Sequence, residues 1–222
     1  NAVLRRVAET PADAWAAPPP PPMPPWLRRR LSEAWGTPAV QAMEAVQALT
    51  PPIDLTPKDG DAVRLAAAVG GTVLPTGSVR LQPGAQLSDL PGYAEGDWWV
   101  QDAAAAMAAK VLAPRPGERI LDLCAAPGGK TLQLAAAGAR VTALDVSQSR
   151  MARVAENLGR CGLSAETVVA DALDYDAPPF DAVLLDAPCT ATGPLRRHPE
   201  LPLLRDGQGI AAIAGTQARM IA

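Results

Sequence analysis

Asp122-Leu-Cys-Ala-Ala-Pro-Gly-Gly-Lys-Thr131 decides the reading of this chain. It closes a hydrophobic run, Arg119-Ile-Leu-Asp-Leu123, and passes through two glycines into a helix-like segment. A strand that turns through glycines into a helix sets unpaired backbone N–H groups against a ligand. A second apolar run, Ala182-Val-Leu-Leu185, ends in Asp186-Ala-Pro-Cys189. In a parallel sheet both loops leave strand C-terminal ends, so the glycine loop and the thiol meet at one crevice. Strands are expected at 119–123, 140–144, 166–170 and 181–185, and helices at 102–112, 130–138, 148–160 and after 205. Met151, Val154, Ala155 and Leu158 fall on one face at the 3.6-residue period of a sheet-packed helix. Alternating strands and helices give an α/β domain with crossover helices over 101–222.

Outward from that domain the chain changes character. Residues 1–25 read as the tail of a helix and a proline tract, 18–25 broken only by Met23, which suits a semi-rigid spacer. Residues 26–100 read as a small α+β unit: a helix from Trp26, another at 38–49, and strands near 53–55, 72–74 and 79–81 around a helix at 58–69. Both ends read as cut, because the chain opens without Met and stops inside a helix-like segment. Four strands leave a hydrophobic sheet edge, which further chain is expected to cover.

Composition excludes several classes. The 222 residues are 48 % hydrophobic, with no apolar run of membrane-span length and no signal-peptide pattern. Cys124, Cys161 and Cys189 are odd in number and widely spaced, which suits reduced cytoplasmic thiols rather than a disulfide framework or a zinc site. A net charge of −3 advertises no general affinity for nucleic acid, so any such contact rests on a local basic patch.

Each strand ends in or just before an acid: Asp122, Asp145, Asp171 and Asp186. Four in succession are expected to line a ligand crevice. Three nucleotide classes compete for it. A phosphate-binding GxxxxGK[ST] loop would need glycine where Cys124 stands, and a dinucleotide fingerprint lacks its first glycine at the same place. A single nucleoside such as S-adenosyl-L-methionine demands no pyrophosphate cradle. Cys124, Ala125, Ala126, Pro127, Gly128 and Gly129 would then supply backbone contacts. Asp145, about 23 residues after Asp122, would take the ribose. Asp171 would accept from the adenine amino group or cap a helix. Lys130 would meet the methionine carboxylate or simply start its helix.

Cys124-Ala-Ala-Pro-Gly-Gly-Lys130 together with Asp186-Ala-Pro-Cys189 resembles the RsmB/Sun (Fmu) family of 16S ribosomal RNA cytosine-5 methyltransferases. Gly193-Pro-Leu-Arg-Arg-His-Pro-Glu200 and Leu90-Pro-Gly-Tyr-Ala-Glu-Gly-Asp-Trp-Trp-Val-Gln-Asp102 extend the likeness. Asn1-Ala-Val-Leu-Arg-Arg6 is similar to the end of the NusB-like domain that precedes the catalytic part there. The resemblance implies a Rossmann-like class I methyltransferase sheet with a small RNA-holding subdomain. It also implies S-adenosyl-L-methionine as cofactor and small-subunit ribosomal RNA as substrate. A cytoplasmic monomer without a metal is expected.

The chemistry explains the cysteine. Cytosine C5 is a poor nucleophile, and a thiolate adding at C6 makes it enamine-like. By position alone Cys189 is that thiol, as a Pro-Cys is in the DNA cytosine-5 enzymes. The resemblance implies instead a later Thr-Cys-Ser nucleophile, absent from these residues, with Cys189 assisting product release. Asp186 would stabilise the adduct through N3 and N4 of the base or serve the cofactor side. A DNA enzyme and a binding protein without catalysis remain the alternatives. Arg28, Arg29, Arg30, Arg196 and Arg197 are candidate RNA contacts, each also at home on a solvated surface. Trp98 and Trp99 are candidates to stack on a base, and one of the two reads rather as core packing, since successive strand residues face opposite ways. His198 has no evident catalytic partner, and Cys161 reads as structural.

Overall fold

The computed structural model describes residues 2–11, 21–176 and 178–221. Residues 1, 12–20, 177 and 222 lie outside the described residues, and with them the first part of the proline tract and the ends of the chain. The chain forms two compact units, Asn1–Pro51 with Ala191–Gln208, and Pro52–Thr190 with Gly209–Ala222.

The first unit holds α1 (Ala2–Glu9), α2 (Pro25–Trp35) and α3 (Thr37–Gln47). Proline in the first turn of α2 and α3 lacks only an N–H that would be unpaired there anyway. Met23, Leu27, Val40 and Leu195 make its core, and the buried Glu44 accepts from Met23 N at 2.9 Å and from Arg28 Nε at 3.0 Å.

The second unit carries two sheets. The first is antiparallel, ordered β2-β3-β1-β4, from β1 (Ile53–Pro57), β2 (Thr72–Val73), β3 (Val79–Leu81) and β4 (Trp98–Val100). Helix α4 (Ala62–Val69) covers it, starting at Ala62 rather than 58 because Asp61 caps it through Arg64 N. The second sheet is parallel, ordered β7-β6-β5-β8, from β5 (Arg119–Leu123), β6 (Arg140–Asp145), β7 (Glu166–Val169) and β8 (Ala182–Leu185). Its helices are α5 (Met107–Leu112), α6 (Gly129–Ala136), α7 (Gln148–Cys161) and, later in the chain, α8 (Ile210–Ile221). The expected helix at 102–112 begins five residues late, since Asp102 Oδ1 accepts from Ala104 N at 2.8 Å and holds a turn first. Met151, Val154 and Leu158 of α7 do face the sheet. Central position gives β5 and β6 their apolar sequences, with Ile120, Ala143 and Leu144 fully enclosed.

Core packing, expected of one tryptophan, describes both. Trp98 and Trp99 are both buried, at 0 % and 3 % exposure. Alternation still holds, because Trp98 joins the core under α4 while Trp99 joins Ala125, Leu132 and Val154. Both rings are enclosed on the two faces of β4, and Trp99 also borders a cavity beside the loop after β5. Among the described residues no helix is long and apolar enough to cross a membrane.

Candidate active site

The loop after β5 is fixed by backbone bonds to its neighbours. Cys124 takes a left-handed φ of 61°, a conformation that costs a non-glycine residue about 1–3 kcal/mol. Ala125 N then donates to Leu144 O of β6 at 3.0 Å, and Gly128 N to Ala125 O at 2.8 Å. Gly128, at φ 103°, ends the turn; a Cβ there would come 3.2 Å from Val154 Cγ1. Helix α6 follows with its first N–H groups lacking partners inside the helix.

The four acids do not share one role. Asp122 is fully enclosed and lines no crevice, a correction to the sequence reading. It lies inside β5, where its Oδ2 accepts from Thr131 Oγ1 at 2.6 Å and its Oδ1 has no partner. Burial pushes its pKa up to about 6, against the lowering effect of the Thr131 bond and of Lys130. Asp145 is also buried, but Ala126 N at 3.2 Å and Ser147 N at 3.0 Å donate to it, with Arg150 Nη1 at 3.4 Å. It ties the glycine loop to the β6 end. Asp171 is exposed and holds a turn through Leu173 N at 2.9 Å; a turn rather than a helix follows it. Asp186 is exposed and pairs with Lys130 Nζ at 2.6 Å, joining the β8 loop to α6.

A cavity of about 410 Å³ opens beside this loop. Ala125, Ala126, Pro127, Gly129, Lys130 and Asp186 line it, six of the residues expected from sequence. Cys124, Gly128, Asp145, Asp171 and Cys189 are not in its wall. Burial and the nearby Asp145 and Asp186 raise the pKa of the Cys124 thiol, so it stays protonated. Cys189 is exposed on the loop after β8, where Gln217 Nε2 donates to Pro188 O at 2.8 Å; none of the three cysteines is disulfide-bonded.

The sequence reading missed Tyr93, Gln101, Asp102, Asn157 and Arg160, which line the same cavity. Arg160 stacks 4.6 Å from the Tyr93 ring centroid and donates to Tyr93 O and Trp98 O. A polar Gln-Asp pair directly after an aromatic strand was the available signal. The candidate RNA arginines belong to the other unit. Arg28 is paired with Glu44, Arg29 lies 3.8 Å from Glu33, and Arg30 and Arg197 are exposed. Arg196 donates to Thr50 O at 3.0 Å, and His198 Nδ1 lies 3.4 Å from Glu200.

A parallel sheet whose first strand turns through glycines into a helix, with acids after the following strands, defines a Rossmann-like fold of the class I methyltransferase type. The chain belongs to the 16S rRNA methyltransferase RsmB/F family, which matches residues 109–222. It is 41 % identical over 214 residues to the Ribosomal RNA small subunit methyltransferase B of Sodalis glossinidius (strain morsitans), covering 89 % of this chain and 49 % of that protein. The chain thus spans about half the length of the curated relatives it matches. Among solved structures PH0851 shares 25 % identity at a TM-score of 0.80, over 94 % of this chain and 53 % of that one. NSun6 from Pyrococcus horikoshii, solved with SFG, shares 34 % identity at 0.56, over 62 % and 37 %.

Proposed function

We propose that this chain binds S-adenosyl-L-methionine and serves methyl transfer to cytosine C5 of small-subunit ribosomal RNA, as a cytoplasmic monomer without a metal. The observation that carries the reading is the cavity shared by the glycine loop and Asp186, bridged at 2.6 Å by Lys130. The donor set fits a nucleoside that bears an amino acid: backbone N–H groups, one ammonium and carboxylates, with no phosphate cradle. Residues 125–130 would hold its amino-acid end, Asp145 the ribose hydroxyls and Asp171 the adenine amino group. Asp145 keeps lone pairs beyond those its backbone donors occupy. The cofactor supplies an electrophilic methyl on a sulfonium.

The protein must activate the other partner. A thiolate adding to C6 of a flipped-out cytosine forms an S–C6 bond and makes C5 nucleophilic. After transfer, the C5 proton leaves and the S–C6 bond breaks, returning the thiol. Cys189 serves this release step, and Asp186 hydrogen-bonds the base edge. The attacking thiol follows the family resemblance and belongs to a Thr-Cys-Ser segment, which these residues do not contain. Arg28, Arg29, Arg30, Arg196 and Arg197 remain the RNA contacts of choice.

The test follows labelled methyl from S-adenosyl-L-methionine into small-subunit ribosomal RNA, with nucleoside analysis, using the full-length protein that carries the Thr-Cys-Ser segment. The expected product is 5-methylcytidine, and Cys189→Ala should retain RNA covalently bound on a denaturing gel. Loss of every adduct in Cys189→Ala would instead make Cys189 the nucleophile. Label in any other nucleoside would end the cytosine reading.

A further inference from the structure

Gln101 follows β4 and is buried, at 7 % exposure, with its side chain in the cavity wall. Its amide has one permitted orientation. Trp99 Nε1 lies 2.9 Å from one terminal atom, and an indole N–H only donates, so that atom is the oxygen. Thr56 Oγ1 donates to the same oxygen at 2.9 Å. At the other side Gln101 Nε2 donates to Gln133 Oε1 at 2.6 Å. Gln133 is fixed in turn, because its Nε2 donates to the Ala106 carbonyl at 3.1 Å and a carbonyl only accepts. Both lone pairs of Gln101 Oε1 are therefore used, and one of the two hydrogens on Nε2 is committed. The other remains on a buried amide that lines the cavity.

Its surroundings define what it meets. A Cβ on Gly129 would lie 3.4 Å from Gln101 Nε2, so the amide rests against the first residue of α6. The N–H groups there are donors, as is the Lys130 ammonium, which keeps two hydrogens beyond its bond to Asp186, and with the amide hydrogen they call for an acceptor bearing negative charge. Asp102 lines the same cavity and offers the opposite sign. A carboxylate beside an ammonium, the end group of an α-amino acid, satisfies both.

We infer that Gln101 is a cofactor-binding group whose Nε2 donates its second hydrogen to the carboxylate of the cofactor's amino-acid end. This rests on the cofactor reading above. The experiment measures equilibrium binding of S-adenosyl-L-methionine and of its decarboxylated analogue to the wild-type chain, Gln101→Met and Gln101→Glu. A lost hydrogen bond to a charged group weakens binding about tenfold or more. The expected result is that loss for S-adenosyl-L-methionine in both variants, with no loss of affinity for the decarboxylated analogue. Gln101→Glu keeps an oxygen that accepts from both Trp99 and Thr56, so it covers the case in which Gln101→Met does not fold. Equal losses for the two ligands would make Gln101 a purely structural residue and overturn the inference, as would no loss for either. A wild-type chain that binds neither ligand would instead remove the cofactor reading, and the inference with it.

Discussion

Trp98 and Trp99 are chemically identical neighbours with different surroundings. Trp98 points into the antiparallel sheet's core with Leu55, Leu65 and Val79, and its Nε1 donates to Pro91 O at 2.8 Å. Trp99 points to the parallel sheet's side, among Ala125, Ala126, Leu132 and Val154. Its indole also fixes Gln101. One ring therefore stabilises a sheet, while the next stabilises a sheet and orients a group in the cavity wall. Replacing a large buried aromatic by Ala costs about 3–5 kcal/mol, so Trp98→Ala and Trp99→Ala should lower urea-unfolding stability by similar amounts. Their effects should separate in cofactor binding measured well below the unfolding midpoint. Trp98→Ala should leave affinity unchanged, whereas Trp99→Ala should reduce it about tenfold by releasing the Gln101 amide. Equal affinity losses would show that β4 acts as one unit and erase the distinction.

The same comparison separates the two buried acids of the parallel sheet. Asp145 receives two backbone N–H groups, but Asp122 receives one hydroxyl and leaves Oδ1 unpaired. A carboxyl enclosed with so little compensation holds its proton, and the pKa of Asp122 rises to about 6. Its folded value thus lies above the unfolded one of 3.8, and between the two the native state binds more protons. The associated stability is fully present below about pH 4 and is lost as pH rises through 6. A shift of about two units is worth about 3 kcal/mol. Urea midpoints of the wild type should fall over that window relative to Asp122→Asn, whose amide oxygen still accepts from Thr131 and does not titrate. Parallel pH profiles would mean that Asp122 is ionised at little cost in the folded protein.

Sequence pattern carried the parallel sheet because its strands are apolar runs closed by acids, a local signal that central burial enforces. It carried the loop side of the cavity for a similar reason, since the left-handed φ of 103° at Gly128 is a demand of the backbone itself. The rest of the cavity lining was not readable. Gln101 matters through partners at Thr56, Trp99 and Gln133, a set that forms only once two sheets have folded together. Period-two alternation correctly sends Trp98 and Trp99 to opposite faces, yet it says nothing of what covers each face. Strand-end position likewise grouped Asp122 with Asp145 and Asp186, although Asp122 lies inside β5, a strand covered on both faces.

The smallest expected stability effect belongs to the Lys130–Asp186 pair. Lys130 is mostly enclosed, but the Asp186 side chain is 58 % exposed, and pairs of that kind contribute about 0–1 kcal/mol. Lys130→Met should therefore move the urea midpoint hardly at all. Cofactor affinity should respond more, because the ammonium sits in the cavity wall next to the N–H groups that open α6. Measured against S-adenosyl-L-methionine and its decarboxylated analogue, the variant should lose affinity for the first alone, as Gln101→Met does. Combining Lys130→Met with Gln101→Met then decides whether the two donors share one acceptor. Groups on the same carboxylate should couple, so the double variant should lose less than the product of the single losses. Independent, multiplying losses would place the ammonium and the amide on different parts of the ligand, and would return Lys130 to Asp186 as its natural partner.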